Sequence, residues 1–292
     1  MRIEVAAAGE YYADLGVASR AREVEDLRPL LAAVCRERFR RIDRFTQLAL
    51  LGSARCVQDR SLPADTGLYI SSGFGSIANT VSVQRQIFID RRVPKPLTFI
   101  NTLSNSAGYY VARNLGLMTR NQFVSRDAAP LEAALYLATL DLVRGDVEQA
   151  LVGAVDEASA PLTEHARRLG VGVDVQLAEG SHWLLLRTSR ASAPSAALAD
   201  IDTLADTAAL SAWLAGIDWS ADTRIWFAED VSPQARAACP VPVQHEPALG
   251  VYRSRTAGAV LRYLSDSVGK ELVTVVEDDG RFHVMRFVGH LD

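Results

Sequence analysis

The stretch PLEAALYLATLDLVRGDVEQALVGAVDE, residues 130–157, decides the fold class. From Pro130 to Arg144 the apolar residues recur at helical spacing, and Gly145 ends the pattern. Ala150–Val155 (ALVGAV) then forms an unbroken apolar run, too short for a helix and suited to a strand buried on both faces. A helix handing over to a buried strand is one unit of an α/β layer architecture.

Outward from this unit the alternation continues. Towards the N-terminus, Ile3–Ala8 reads as a strand, Ile42–Val57 as a helix and Gly67–Ser71 as a buried strand, followed by a helix at Ser106–Leu117 and a strand at Gln122–Ser125. Towards the C-terminus, strands are expected at His182–Arg187 and Arg224–Ala228, and helices at Asp206–Gly216 and Arg253–Leu264. The chain closes with a hairpin, Leu272–Val276 and Phe282–Val288, turning through Asp278-Asp279-Gly280. Thr188–Leu198 (TSRASAPSAAL), rich in Ser and Ala, reads as a linker between two α/β halves, 1–188 and 189–292.

Composition excludes several classes. The 292 residues are 49% hydrophobic and 23% charged with net charge −4, so no bulk electrostatic attraction to nucleic acid or an anionic membrane is expected. Cys35, Cys56 and Cys239 are scattered without CxxC or Cys/His spacing, which argues against a disulfide framework and a zinc site. No metal and no cofactor are expected. The apolar patch at the N-terminus is too short for a signal peptide, and no later stretch reaches the ~18 apolar residues of a membrane span. A soluble, cytoplasmic protein fits.

Five blocks, in order, resemble the β-ketoacyl synthase family of the thiolase fold: RRIDRFTQLALLGSARCVQD (40–59), TGLYISSGFGSI (66–77), INTLSNSAGYYVARNLGL (100–117), ALYLATLDLVRGDVEQALVGAVDE (134–157) and LAEGSHWLLLR (177–187). The resemblance implies a thiolase-like layered αβαβα fold with a reduced C-terminal half. Family members carry a cysteine at a strand-to-helix elbow, where the helix N-terminus lowers the thiol pKa. Here the elbow reads VSRDAAPLEAAL (124–135), and matching it to the family puts Ala128 at the nucleophile position, with Ala129 beside it. A methyl group cannot hold a thioester. Ser125 lies upstream on the strand with no histidine obviously placed to activate it, and Asp127 reads as a cap of the helix whose first turn holds Pro130.

The two histidines that the family uses towards malonyl groups are also missing. RIWFAED places Glu229 or Asp230 at the first, and ALGVYRSRTAGAVL places Val251 or Tyr252 at the second. A carboxylate there repels a malonyl anion. EDDGRF (277–282) replaces the family's terminal Gly-rich loop. His165, His182, His245, His283 and His290 each read as structural residues, and Cys239 as a small hydrophobe.

A member that lacks the nucleophilic cysteine resembles a chain length factor, which implies a subunit without chemistry of its own that pairs with an active ketosynthase and shapes its acyl tunnel in polyketide or aryl-polyene synthesis. Most such factors carry glutamine at the lost cysteine, so alanine is a departure. The resemblance places Gln122–Arg126 at a two-fold seam, with Thr98–Asn105 nearby and Arg126 facing the partner. Phe99, Thr102, Tyr109, Tyr110 and Phe123 are candidates for the tunnel wall. Arg36, Arg38, Arg40, Arg41 and Arg44 form either a solvated helix face, with Glu37 and Asp43 as partners, or a docking site for an acidic acyl carrier protein. Two other classes stay open: a thioesterase or acyltransferase using Ser125, Asp127 or Glu229, and a homodimeric acyl-binding protein.

Overall fold

The computed structural model describes residues 2–20, 24–58, 60–189, 195–220, 222–240, 249–266 and 270–291. Its strands are β1 (Arg2–Val17), β2 (Gly67–Ser72), β3 (Asn121–Ser125), β4 (Gln149–Asp156), β5 (Gln176–Ser189), β6 (Ala196–Leu204), β7 (Thr223–Phe227), β8 (Glu271–Asp278) and β9 (Arg281–Gly289). The α-helices are α1 (Arg28–Val34), α2 (Arg44–Val57), α3 (Ile77–Phe88), α4 (Pro96–Ile100), α5 (Ser106–Leu115), α6 (Pro130–Arg144), α7 (Leu162–Leu169), α8 (Thr207–Ala215), α9 (Pro233–Ala237) and α10 (Arg255–Ser265).

The strands form one sheet in the order β3-β2-β4-β5-β1-β6-β9-β8-β7. On one side of the β1–β6 junction, β1 pairs antiparallel with β5, β5 antiparallel with β4, and β4 parallel with β2. On the other side β6, β9, β8 and β7 repeat those pairings in the same sequence. The repeat stops one strand early: β3, which pairs parallel with β2, has no counterpart beside β7 among the described residues.

The sheet folds over two central helices. Helix α6 touches β2, β3 and β4 from the first half and β6 and β9 from the second, while α10 touches β1, β5 and β8. Between them lies a core of Leu131, Leu135 and Leu142 of α6, Val260 and Leu264 of α10, Leu184 and Leu186 of β5, and Met285 and Phe287 of β9. A second core packs α1, α2 and α5 on the outer face of the first half around Trp183, and a third packs α8 and α9 outside the second. Helices, sheet, helices, sheet, helices: this is the layered αβαβα arrangement.

Three local readings are corrected. Strand β1 runs well past Ala8 to Val17, because its polar residues are cross-strand partners: Glu4 stands opposite Arg187 and Glu10 opposite His182. The arginine run 36–41 is irregular chain between α1 and α2, not a helix face, since Asp43 caps α2 by accepting from the Thr46 N–H at 3.0 Å. Both ends of the expected linker are strand, with β5 reaching Ser189 and β6 starting at Ala196; residues 190–194 and His245 lie outside the described residues.

Candidate functional site

At the elbow, β3 ends at Ser125 and α6 begins at Pro130 with Ala129 as N-cap. Asp127 does not cap this helix, whose N-cap makes no side-chain hydrogen bond; its carboxylate instead lies 2.8 Å from Arg253 Nε. Ala128 is half-buried and lines a pocket of about 50 Å³ together with Trp226, Glu229, Tyr252, Arg253 and Arg255. The three positions expected for the nucleophile and the two histidines, 128, 229 and 252, thus face one pocket. That volume holds a water or two but not an acyl chain.

Ion pairs close the pocket. Arg255 pairs with Glu229, and Arg253 reaches Asp230 at 3.5 Å as well as Asp127. Tyr252 is buried, and its hydroxyl lies 2.7 Å from His182 Nε2, while His182 Nδ1 lies 2.8 Å from a Glu10 carboxylate oxygen. The carboxylate can only accept, so Nδ1–H donates to Glu10; in a neutral ring Nε2 is then the acceptor for the phenol. Burial pushes the Glu10 carboxyl up, but the His182 hydrogen bond together with Arg262 and Arg55 outweighs it and leaves the group below its ordinary value. Burial holds the Tyr252 phenol well above its ordinary pKa. Both imidazole nitrogens are engaged, so His182 has no free atom to activate a nucleophile.

Room for this chain of three comes from glycines. A Cβ on Gly258 would stand 2.3 Å from the Tyr252 hydroxyl, and one on Gly180 would stand 2.4 Å from His182 Nε2. Two further histidines are also occupied. His165 Nδ1 lies 3.3 Å from Ser159 Oγ, and burial lowers its pKa to about 4. His283 accepts from Arg126 at Nε2 (2.9 Å) and faces Thr203 through Nδ1 (3.1 Å). None of these bonds reaches Ser125.

Arg126 turns inward rather than out: it donates to Asp278 at 3.0 Å as well as to His283. Arg44 likewise leaves the expected docking set, because it pairs with the buried Glu179 and donates to the Glu25 carbonyl at 2.8 Å. Arg36, Arg38, Arg40 and Arg41 are exposed, and with Phe39 they line a groove of about 890 Å³. Burial pushes the Cys35 thiol in that groove to about 11, so it stays protonated.

The tunnel candidates lie at or near the surface. Phe99 and Tyr109 are more than half exposed, whereas Tyr110 packs edge-on against Phe39 and Phe123 against Phe45. Thr102 is half-buried and donates to the Phe99 carbonyl at 2.7 Å. Around them lies a larger patch that sequence reasoning misses: Ile87, Phe88, Ile89, Val93, Leu97 and Ile100 of α3, α4 and their connection are all exposed. The signal for it lies in QIFIDRRVPKPLTFI (86–100), where large apolar residues show no inward-facing period. Strand β3 ends the sheet, with Asn121, Gln122 and Ser125 exposed.

Fold and pocket together define a ketosynthase-type scaffold. The chain belongs to the β-ketoacyl synthase family, whose N-terminal-domain model matches residues 3–168. Among solved structures it resembles the ishigamide ketosynthase/chain length factor, with TM-score 0.76 and 20% identity over 100% of both chains. It also resembles a chain of the type II polyketide synthase acyl-carrier protein in complex with its ketosynthase bound to the hexaketide, with TM-score 0.69 and 13% identity over 99% of each. A third likeness is to the ketosynthase ApeO in complex with its chain length factor ApeC from Xenorhabdus doucetiae, with TM-score 0.55 and 10% identity over 99% of each. These likenesses establish the fold. No curated protein matches the sequence. Among the described residues no group of His, Cys, Asp and Glu could hold a metal, and no helix is long and apolar enough to cross a membrane.

Proposed function

We propose that this chain is a chain length factor, the non-catalytic partner of an active β-ketoacyl-acyl-carrier-protein synthase in the cytoplasm, which helps to bound the acyl tunnel of a type II polyketide or aryl-polyene pathway. One observation carries the reading. The place of the nucleophile is a methyl group, Ala128, in a pocket of about 50 Å³ closed by Arg253 and Arg255 ion pairs. A site built this way supplies neither thiolate nor base. The partner docks along the open edge of β3, flanked by the exposed apolar residues of α3 and α4. Phe99, Thr102 and Tyr109 then face the shared tunnel, and Tyr110 and Phe123 set its wall from behind.

The acyl carrier protein docks on Arg36, Arg38, Arg40 and Arg41, whose charges meet an acidic surface. Residues 1–188 carry the seam and the elbow, and residues 189–292 complete the layers. The ketosynthase and chain length factor named among the structural likenesses support this assignment by analogy of fold.

Co-expression with an active β-ketoacyl synthase from the same organism tests the reading. The expected outcome is a stable 1:1 complex that elongates malonyl units on carrier protein, while the isolated chain neither elongates nor takes up an acyl group by mass spectrometry. A lone chain that forms an acyl adduct, or that remains a homodimer in the presence of the ketosynthase, overturns it.

A further inference from the structure

Between α1 and α2 the chain carries four arginines within six residues, Arg36, Arg38, Arg40 and Arg41. All four are exposed and line the groove of about 890 Å³, and none has a partner for its guanidinium among the described residues. The nearby acids are engaged elsewhere. Glu37 pairs with Arg113 of α5 at 2.8 Å, and Asp26 with Arg28 at 2.8 Å. Asp43 accepts from the Thr46 N–H at 3.0 Å, the Ser76 hydroxyl at 2.6 Å and the Asn79 amide at 2.8 Å. Arg44 is matched by Glu179. The groove thus keeps four unmatched positive charges in a protein whose net charge is −4. Like charges gathered without counter-ions repel one another, so the occupant that fits is an anion.

Shape and side-chain type narrow the anion. A concavity of this volume falls in the range of small-molecule sites, about 300–1,000 Å³, whereas a single acidic side chain would leave it nearly empty. A lone carboxylate brings one charge to four, but a chain of phosphates brings several. Every cation lining the groove is an arginine, whose planar fork meets phosphate oxygens two at a time. Leu31, Cys35, Phe39 and Ile42 supply an apolar part of the wall. Phe39 is half-buried and packs edge-on against Tyr110, with ring centroids 5.5 Å apart. An aromatic ring held in place among guanidinium planes suits a flat, uncharged group such as a base. Phosphates on the arginines and a flat ring on the apolar wall describe a nucleotide.

We infer that this groove binds a nucleotide through its pyrophosphate, with Arg36, Arg38, Arg40 and Arg41 on the phosphates and Leu31 and Phe39 beside the base. A free nucleoside diphosphate and coenzyme A share that chemistry, the second adding an uncharged arm. The carrier protein proposed above uses the same arginines, so nucleotide and carrier exclude each other. Only that competition rests on the carrier-docking reading.

Equilibrium dialysis of the full chain with ADP, coenzyme A, adenosine and inorganic pyrophosphate tests the site. ADP and coenzyme A are expected to bind one to one and about tenfold more tightly than pyrophosphate, as one stacked base provides, while adenosine is not retained. Coenzyme A binding about tenfold more tightly than ADP assigns the site to coenzyme A; a smaller difference assigns it to the free nucleotide, since the arm then adds nothing. Arg38→Ala combined with Arg40→Ala is expected to weaken binding about a hundredfold, roughly tenfold for each guanidinium. Arg85→Ala combined with Arg281→Ala removes the same charge from exposed positions outside the groove and is expected to leave binding unchanged. The substituted side chains are exposed, so the melting temperature is expected to hold in both variants. Pyrophosphate binding as tightly as ADP, binding indifferent to Arg38 and Arg40, or no nucleotide binding at all overturns the inference. Carrier protein that binds where ADP does not leaves the docking reading standing without the nucleotide. ADP that binds without displacing carrier protein keeps the nucleotide and overturns docking on these arginines.

Discussion

The pocket at Ala128 and the exposed surface of α3, its connection to α4 and the β3 edge treat their side chains in opposite ways. In the pocket every charged wall residue has an in-chain mate: Glu229 with Arg255, Asp127 and Asp230 with Arg253. Tyr252, His182 and Glu10 satisfy one another in a line. At the surface Phe88, Ile89 and Val93 are 65%, 71% and 89% exposed, and the β3 edge is unpaired among the described residues. Large apolar side chains left this exposed are a feature of interaction surfaces. The difference teaches where the proposed function would sit: the pocket's charges are satisfied within the chain, and the unsatisfied surface lies outside it.

The sharpest way to break that contrast is the double substitution Phe88→Asp with Ile89→Asp. Both side chains are exposed in the lone chain, so its melting temperature is expected to stay within a degree or two. Two buried, unpaired carboxylates at the seam are expected to weaken the ketosynthase complex at least a thousandfold, about 4 kcal/mol. Analytical ultracentrifugation reads the result directly. An unchanged complex would move the partner to another face.

A second test asks whether the interior carries a cost for its buried acids. Glu157 accepts from the Ala78 N–H at 2.8 Å through one oxygen, has no partner for the other, and is raised by burial to about 8. A carboxyl whose folded pKa exceeds its unfolded value destabilises the fold as pH rises. The penalty is absent below about 4.5, grows between 4.5 and 8, and is complete above that. Glu157→Gln keeps the accepting oxygen and removes the charge. It is expected to gain about 4 kcal/mol over the wild type at pH 8 and almost nothing at pH 4, since each tenfold change in proton affinity is worth about 1.36 kcal/mol. Denaturant unfolding at the two pH values checks it, and an equal gain at both would place the effect in packing instead of charge.

What is legible in the sequence follows from which interactions are local. Helix α6 and strand β4 declare themselves through periodicity and the Gly145 stop, and the β8–β9 hairpin through Asp278-Asp279-Gly280. Ala128, Glu229 and Tyr252 come to one place only through the family pattern. The rest is tertiary. Strand β1 reads too short because Glu4 and Glu10 break its apolar pattern, and their partners, Arg187 and His182, lie far along the chain. Asp127 has the sequence context of a cap, and only the fold brings Arg253 beside it; Arg44 has the context of a surface residue until Glu179 is placed against it. The α3–α4 patch is hard to read because its apolar residues point outward, where no core imposes a period.

The smallest effect belongs to Tyr252 itself. Tyr252→Phe keeps the ring that packs 5.6 Å from the His182 ring and removes only the hydroxyl that donates to Nε2. The imidazole then has a buried acceptor with nothing to accept, at a cost of about 1–3 kcal/mol. The melting temperature is expected to fall by several degrees, at roughly 2–4 °C per kcal/mol for a chain of this size. Affinity for the ketosynthase is expected to stay put, because Tyr252 is buried away from the seam. A variant that loses the complex while keeping its stability would mean that the sealed pocket and the open surface are coupled, and the separation of the two regions would fall.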